Sequence, residues 1–385
     1  MKLEAQKAAS IENPELLRII DHFAIRGDVQ FIRTIKKGYI NKTYEVDTLS
    51  QNDRVHKYIL QRINTYVFKN VGGLMNNFWI VTEHLKDKYH LPGSENGLSV
   101  LSLRLTKDGR TFFEDESGCW RMVKCFDNTY SMDVADSVET FKSAGEAFGL
   151  FIKKLSAIPL EDIVETIPNF HNTVSRYNDL KDAVERDPFG KADGVKEEIK
   201  KIEERFQCYK VITDALESGE IPTRICHNDC NLNNILFDKD THLPVAIIDL
   251  DTVMPSSPLY DFGDSIRVGT NTAKDDEKDL SKVFCDLEYY EAYARGFLGS
   301  CGDILTKREL ELLPYSSIVI TSEDGIRFLT DYINGNVYYK TDYEEQNLDR
   351  AHTQLKLADD MIEKLPQIKE ILGKIYEEMG LKANL

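Results

Sequence analysis

Cys226-His227-Asn228-Asp229-Cys230-Asn231-Leu232-Asn233-Asn234-Ile235-Leu236-Phe237, followed after a short turn by Val245-Ala246-Ile247-Ile248-Asp249, decides how this chain is read. The first segment has the form His-x-Asp-x-x-x-x-Asn, and the second is an apolar, β-branched run that ends on an aspartate. A polar loop followed by a buried strand that delivers a carboxylate at its end gathers a candidate base, Asp229, with two oxygen ligands for a hard cation, Asn234 and Asp249.

The residues before this stretch alternate as strands do. A short leading helix is expected over 14–26, then strands at 29–35, 43–47 and 55–63 with a turn at 36–41. Apolar residues at Val67, Val71, Leu74, Phe78, Val81 and Leu85 predict a helix over 65–89. Strands are expected again at 98–106, 110–115 and 119–126, with Asp108-Gly109 and Ser117-Gly118 as hairpin turns. The order strand, strand, strand, helix, strand, strand resembles the small lobe of a protein kinase, with a hinge at 123–127.

Beyond it, helical spacing covers 138–155, the charged region 178–219, and 277–300, 307–340 and 344–380. The expected fold class is α+β: a bilobal, protein-kinase-like chain with a small β-rich N-terminal lobe (1–126) and a larger, mostly α-helical C-terminal lobe (127–385).

A net charge of −17 argues against nucleic acid or an anionic membrane as partner, since both call for a field of Lys and Arg. Met1 to Asn13 is polar, and no apolar run reaches the length of a membrane span, so a cytoplasmic location is expected. Seven cysteines, an odd number thinly spread, fit reduced thiols and no disulfide framework. Cys226, His227 and Cys230 lack the second ligand pair that a zinc knuckle needs.

The residue set suits phosphoryl transfer, which asks a protein to orient a hydroxyl, take its proton and hold the cations that neutralise phosphate charge. Asp229 is then the base, while Asn234 and Asp249 are the Mg²⁺ ligands of an ATP-dependent reaction. Asp251, two positions along and on the same side of an extended segment, rivals Asp249. Asp261-Phe262-Gly263 copies a protein-kinase metal motif, yet it follows a Pro-Ser-Ser-Pro loop and no strand, so Asp261 reads as a brace for the catalytic loop. His227 reads as a pin for the same loop.

On the nucleotide side the turn around Gly38 has a single glycine, leaving backbone N–H groups and the Asn41 and Thr43 side chains to meet phosphate. The third strand offers Arg62 as the facing cation, or Gln61 one register earlier, with Glu83 a candidate to orient Arg62.

These motifs resemble the aminoglycoside phosphotransferase and choline kinase superfamily, and within it most closely the N-acetylhexosamine 1-kinases. The likeness rests on His227-Asn228-Asp229 to Asn234, Ile248-Asp249-Leu250, Tyr260-Asp261-Phe262-Gly263-Asp264, Gly325-Ile326-Arg327-Phe328 and Pro168-Asn169-Phe170-His171. The resemblance implies nucleotide held between two lobes and transfer of the γ-phosphate of ATP to the anomeric hydroxyl of GlcNAc or GalNAc, a small-molecule substrate of amino-sugar type.

It also implies that Arg327 and Tyr338 line the sugar and phosphate region, and His171 is a further candidate to contact the acceptor. An ion pair of Arg327 with Asp331, four residues along one helix face, is the structural alternative. Cys230-Asn231-Leu232 and Ser256-Ser257 depart from that group near the acceptor. The competing readings are a kinase of another hydroxylated metabolite, of choline, homoserine or aminoglycoside type, and a catalytically silent nucleotide- or sugar-binding protein.

Overall fold

The computed structural model describes residues 13–35, 40–86 and 98–385, and these form two compact units. The expected turn residue Gly38 lies outside the described residues.

The first unit contains the residues up to Tyr130, Ile158–Ile167 and Leu236–Met254. Helix α1 (Pro14–Asp21) opens at Asn13, whose side chain accepts from Leu16 N, with proline at the first helical position, where its missing N–H costs nothing. Strands β1 (Asp28–Ile35), β2 (Lys42–Leu49) and β3 (Val55–Ile63) fall where the alternation placed them. Helix α2 (Val71–Leu85) and strands β4 (Phe113–Asp115) and β5 (Gly118–Lys124) follow. The five strands form an antiparallel sheet in the order β1-β2-β3-β5-β4.

One face of the sheet is apolar because alternate residues point the same way: Ile32, Val46, Tyr58, Leu60, Trp120 and Met122 pack on Leu16, Ile19 and Ile20 of α1. The predicted helix over 65–89 starts only at Val71, since Asn70 caps it by accepting from Gly73 N at 2.9 Å. The predicted strand over 98–106 is not one. That segment makes single bridges to three separate partners, Ser99 to Ala246, Leu103 to Val123 and Thr106 to Phe23, so no ladder extends. Strands β6 (Thr129–Tyr130), β8 (Ile235–Asp238) and β9 (Pro244–Ile247) form a second small sheet. Its pairing draws 236–254 into this unit, beyond a single cut at residue 126.

The second unit comprises Ser131–Ala157, Pro168–Ile235 and Pro255–Leu385 and is mostly helical. Its helices are α3 (Val138–Leu155), α4 (Thr173–Arg186), α5 (Lys196–Tyr209), α6 (Val211–Glu217), α7 (Pro258–Gly269), α8 (Leu287–Cys301), α9 (Lys307–Ile333), α10 (Gln346–Glu363) and α11 (Leu365–Met379). Strand β7 (Arg224–Cys226) leads into the Asp229 loop, and β10 (Met254–Ser256) precedes α7.

Helices α3 and α8 meet backbone to backbone. A Cβ on Gly145 would lie 2.5 Å from Tyr293 O, and one on Gly296 2.1 Å from Lys142 O. The expected helix over 277–300 begins only at Leu287, where Asp286 caps it. The one over 307–340 stops at Ile333, before Gly335 with φ 86°. The one over 344–380 breaks at Leu365-Pro366. No described helix is long and apolar enough to cross a membrane. The whole is a mixed α+β chain with a small antiparallel β-sheet lobe and a larger helical lobe.

Candidate active site

In the second unit, β7 ends at Cys226 and the chain turns sharply. Asn228 takes φ 65°, a left-handed conformation that Asn tolerates better than most residues. The turn is held from behind by Asp261, in the first turn of α7, whose two carboxylate oxygens accept from His227 N (2.9 Å) and Asn228 N (2.7 Å). Burial pushes the Asp261 carboxyl up to about 7, against the pull of those two N–H groups. The Asp-Phe-Gly triplet thus carries the brace. His227 is fully buried, its ring edge-on to Phe148 and Phe151, and acts as a pin.

Asp229, half-buried, follows the turn. Its Oδ2 and its backbone carbonyl each accept from Asn234 Nδ2 at 2.9 Å, and its Oδ1 accepts from Asn231 Nδ2. With Nδ2 turned to Asp229, the remaining polar atom of the Asn234 amide is Oδ1, a hard oxygen donor. Burial and the Asp264 carboxylate push the Asp229 carboxyl up to about 6, against Asn234, the charge of Arg267 and Asn231. A carboxyl so placed is a better base than an exposed aspartate.

His171 contacts the loop from the other side. Nε2 lies 3.0 Å from Asn228 O and Nδ1 3.0 Å from Glu323 Oε1, while Thr173 Oγ1 donates to Glu323 Oε2. Both ring partners are acceptors, so the geometry is complete only when both nitrogens carry a proton. Burial lowers the imidazole pKa, but Glu323 and the Asn228 carbonyl more than offset it and hold the pKa above the ordinary value. With both nitrogens engaged, His171 holds the loop, and the ring is not free to meet an acceptor molecule.

A raised histidine contributes stability that is complete below its unfolded pKa of about 6.5 and is lost as pH rises through the folded value. The melting temperature of wild type should therefore exceed that of His171→Gln most at pH 6 and progressively less toward pH 9. A difference independent of pH would show that the ring is neutral.

From Asp229 a line of buried and half-buried charges runs outward. Arg267 Nη2 donates to Asp264 Oδ1 at 2.7 Å and its Nε lies 3.2 Å from Asp324 Oδ2; Asp324 Oδ1 accepts from Arg327 Nη1 at 3.1 Å. Burial raises the Asp324 pKa, but Arg267 and Arg327 outweigh it and keep the carboxyl below its usual range. The Arg327 guanidinium lies 5.9 Å from the Phe170 ring and 5.7 Å from that of Tyr339.

The alternative partner for Arg327 is corrected here: its carboxylate is Asp324, three residues before it on α9. Asp331 instead accepts from the backbone N–H groups of Val337, Tyr338 and Tyr339 and from Asn347 Nδ2. That cap presents Tyr338, which is exposed and edge-on to Tyr339. Arg327, Tyr338, Tyr339 and Phe170 are thus brought together, with His171 next in sequence to Phe170.

In the first unit, Asp249 ends the β9 segment in a left-handed conformation, φ 59° and ψ 58°, with its side chain exposed. Asp251 is buried, and Arg121 Nη1 and Nη2 and Asn41 Nδ2 (2.7 Å) all donate to its carboxylate. That saturation leaves Asp249 the better candidate to meet a cation.

The remaining nucleotide-side residues divide between the two faces of the sheet. The Asn41 side chain is engaged by Asp251 and Asn64 N, and Thr43 Oγ1 accepts from Gln61 Nε2 at 3.3 Å. Arg62 shares the face of Tyr58 and Leu60, where its guanidinium lies over Gly118, while Gln61 shares the opposite face with Thr43 and Arg121. Glu83 pairs with Lys86 and does not orient Arg62.

The sequence gives no role to Arg121, Arg267, Glu323, Asp324 and Tyr339, and Asp264 and Phe170 enter there only as parts of quoted motifs. Arg121 left a trace there, as a lone charge inside the apolar run Cys119-Trp120-Arg121-Met122-Val123. Asp264 and Arg267 did too, spaced three apart on a helix.

Comparison with known proteins agrees with this architecture. An aminoglycoside phosphotransferase from Alicyclobacillus acidocaldarius superposes with a TM-score of 0.57 at 10% identity, covering 93% of this chain and 96% of that one. A microcompartment-associated aminopropanol kinase gives 0.54 at 12% identity, covering 91% and 97%. A spectinomycin phosphotransferase in complex with ADP and spectinomycin gives 0.55 at 12%, covering 92% and 98%. At these identities the likeness is one of fold. Residues 109–300, which include Asp229, Asn234 and Asp249, match the model of the APH phosphotransferase enzyme family.

Proposed function

We propose that the chain is an ATP- and Mg²⁺-dependent small-molecule kinase that phosphorylates the anomeric hydroxyl of an N-acetylhexosamine, giving the sugar 1-phosphate. Asp229 accepts the proton of the acceptor hydroxyl, and the Asn228 turn, fixed by Asp261 and His171, orients its carboxylate. Asn234 Oδ1 and the exposed Asp249 carboxylate are the oxygen donors a hard cation requires, and the bound Mg²⁺ supplies neutralisation of the phosphate charge. Thr43 is left for the phosphates, and Arg62, on the other face of β3, is the weaker candidate.

The observation that carries the sugar reading is the charge balance around Asp229. Asp264 and Asp324 are matched by Arg267 and Arg327, and Glu323 by His171. Acids already neutralised offer little to a polycationic acceptor. A neutral polyol, by contrast, finds aromatic faces at Tyr338, Tyr339 and Phe170 and a guanidinium donor at Arg327.

The test is ADP release from Mg²⁺-ATP over a panel of GlcNAc, GalNAc, galactose, choline, homoserine and kanamycin. ADP release is expected with an N-acetylhexosamine. Turnover of choline or kanamycin alone would replace the sugar reading by that of another small-molecule kinase. Silence across the panel, with nucleotide still bound, would favour a binding protein.

A further inference from the structure

Among the described residues Arg121 is the largest of the side chains less than 2% exposed, at 1% in the middle of β5. A guanidinium there is tolerated only if its donors are matched. Its Nη1 and Nη2 donate to the two oxygens of Asp251, its Nε donates to Gln61 Oε1 at 2.9 Å, and its plane lies 5.0 Å from the Phe78 ring of α2. Two short polar chains leave this centre. One runs through Gln61 to Thr43 Oγ1 on β2; the other runs through Asp251 to Asn41 and on to Asn64 N.

Asp251 belongs to the Leu250–Thr252 turn that follows Asp249 directly. The same turn is gripped by Thr166, whose hydroxyl donates to Asp251 O at 3.0 Å, and by Asn77, whose amide donates to Val253 O at 3.1 Å. A left-handed, exposed Asp249 therefore sits at the edge of a segment fixed on several sides, and the only charged contact among those grips is Arg121.

Resting on the kinase reading above, we propose that Arg121 is a positioning residue for the metal. By clamping Asp251 it sets the backbone turn that aims the Asp249 carboxylate, and through Asn41 and through Gln61 to Thr43 it ties that turn to the start of β2, on the nucleotide side of the sheet. A cation on β5 takes the place that a cation on β3 was expected to fill, but it acts through the protein's own carboxylate, with each of its three nitrogens already donating to a side chain.

The experiment titrates ADP into wild type, Arg121→Met, Arg121→Lys and Asp249→Asn, each with Mg²⁺ and with EDTA, reading affinity by calorimetry. Mg²⁺ should tighten ADP binding to wild type, and Arg121→Met should lose about 10-fold or more of that tightening while its affinity in EDTA stays within about threefold, since groups that orient a ligand tune metal affinity by 10–100-fold. Arg121→Lys, which keeps the charge but not the bidentate fork, should fall between.

Should Arg121→Met not fold, the double variant Arg121→Met/Asp251→Leu, which replaces the pair by apolar side chains, gives the same reading with the buried charge removed. Full Mg²⁺ tightening in a folded Arg121 variant would overturn the inference alone. Wild type indifferent to Mg²⁺ would overturn the kinase reading and this inference together.

Discussion

Asp229→Asn should lower kcat by about 10²–10⁴-fold while leaving ADP affinity within a factor of about three. The substitution is nearly isosteric, and the new amide oxygen can still accept from Asn234 or Asn231, so the loop keeps its shape. The lost property is the ability to take a proton. Aspartate here is a competent base because burial and Asp264 raise its pKa while Asn234, Arg267 and Asn231 keep it ionisable. Steady-state kinetics with an N-acetylhexosamine, beside calorimetric ADP binding, separate the two effects. Turnover within tenfold of wild type would remove Asp229 from the role of base.

Asp249→Asn should be as damaging to turnover and far gentler to the fold. Its side chain is exposed, so exchanging carboxylate for amide buries no new polar group, and the melting temperature should move by no more than a surface substitution allows, about 0.5 kcal/mol in stability. Asp251→Asn is the control. It strips the charge from a buried pair with Arg121, a change that costs about 3–5 kcal/mol. Turnover and thermal melts on both variants should give opposite profiles, Asp249 silent in stability and severe in activity, Asp251 severe in stability. Full Mg²⁺-dependent activity in Asp249→Asn would assign the metal elsewhere.

The contrast between these two aspartates shows where a linear reading runs out. Asp249 and Asp251 share a side of an extended segment, and local pattern gives no reason to prefer one. The preference comes from Arg121, 130 positions away, and from Asn41, 210 positions away. Strands β1 to β3 and helix α3 were legible because their period is written in each residue's neighbours.

The clustering of Asp229 with Asn234 was legible because both lie within one short segment. The partner of Arg327 was not: Asp324 and Asp331 both lie within a helical turn of it, and only the loop capped by Asp331 removes that carboxylate from competition. The segment 98–106 looked like a strand because it is apolar and alternating, but a strand also needs one neighbour along its length, and this one divides its bonds among three.

Asn228 and Asp249 bear on what could be improved in this chain. Both hold a left-handed backbone that glycine would adopt without the steric cost, which is about 1 kcal/mol or more for a residue with a Cβ. A search for stabilising substitutions would thus be drawn to these positions, because each stores strain that glycine relieves. At Asp249 the gain would remove the carboxylate proposed to hold the cation, and at Asn228 it would loosen the turn that presents Asp229. Thermal robustness and readiness to react are set against each other at two identifiable backbone angles, so a more durable variant of this protein has to be sought elsewhere in the chain.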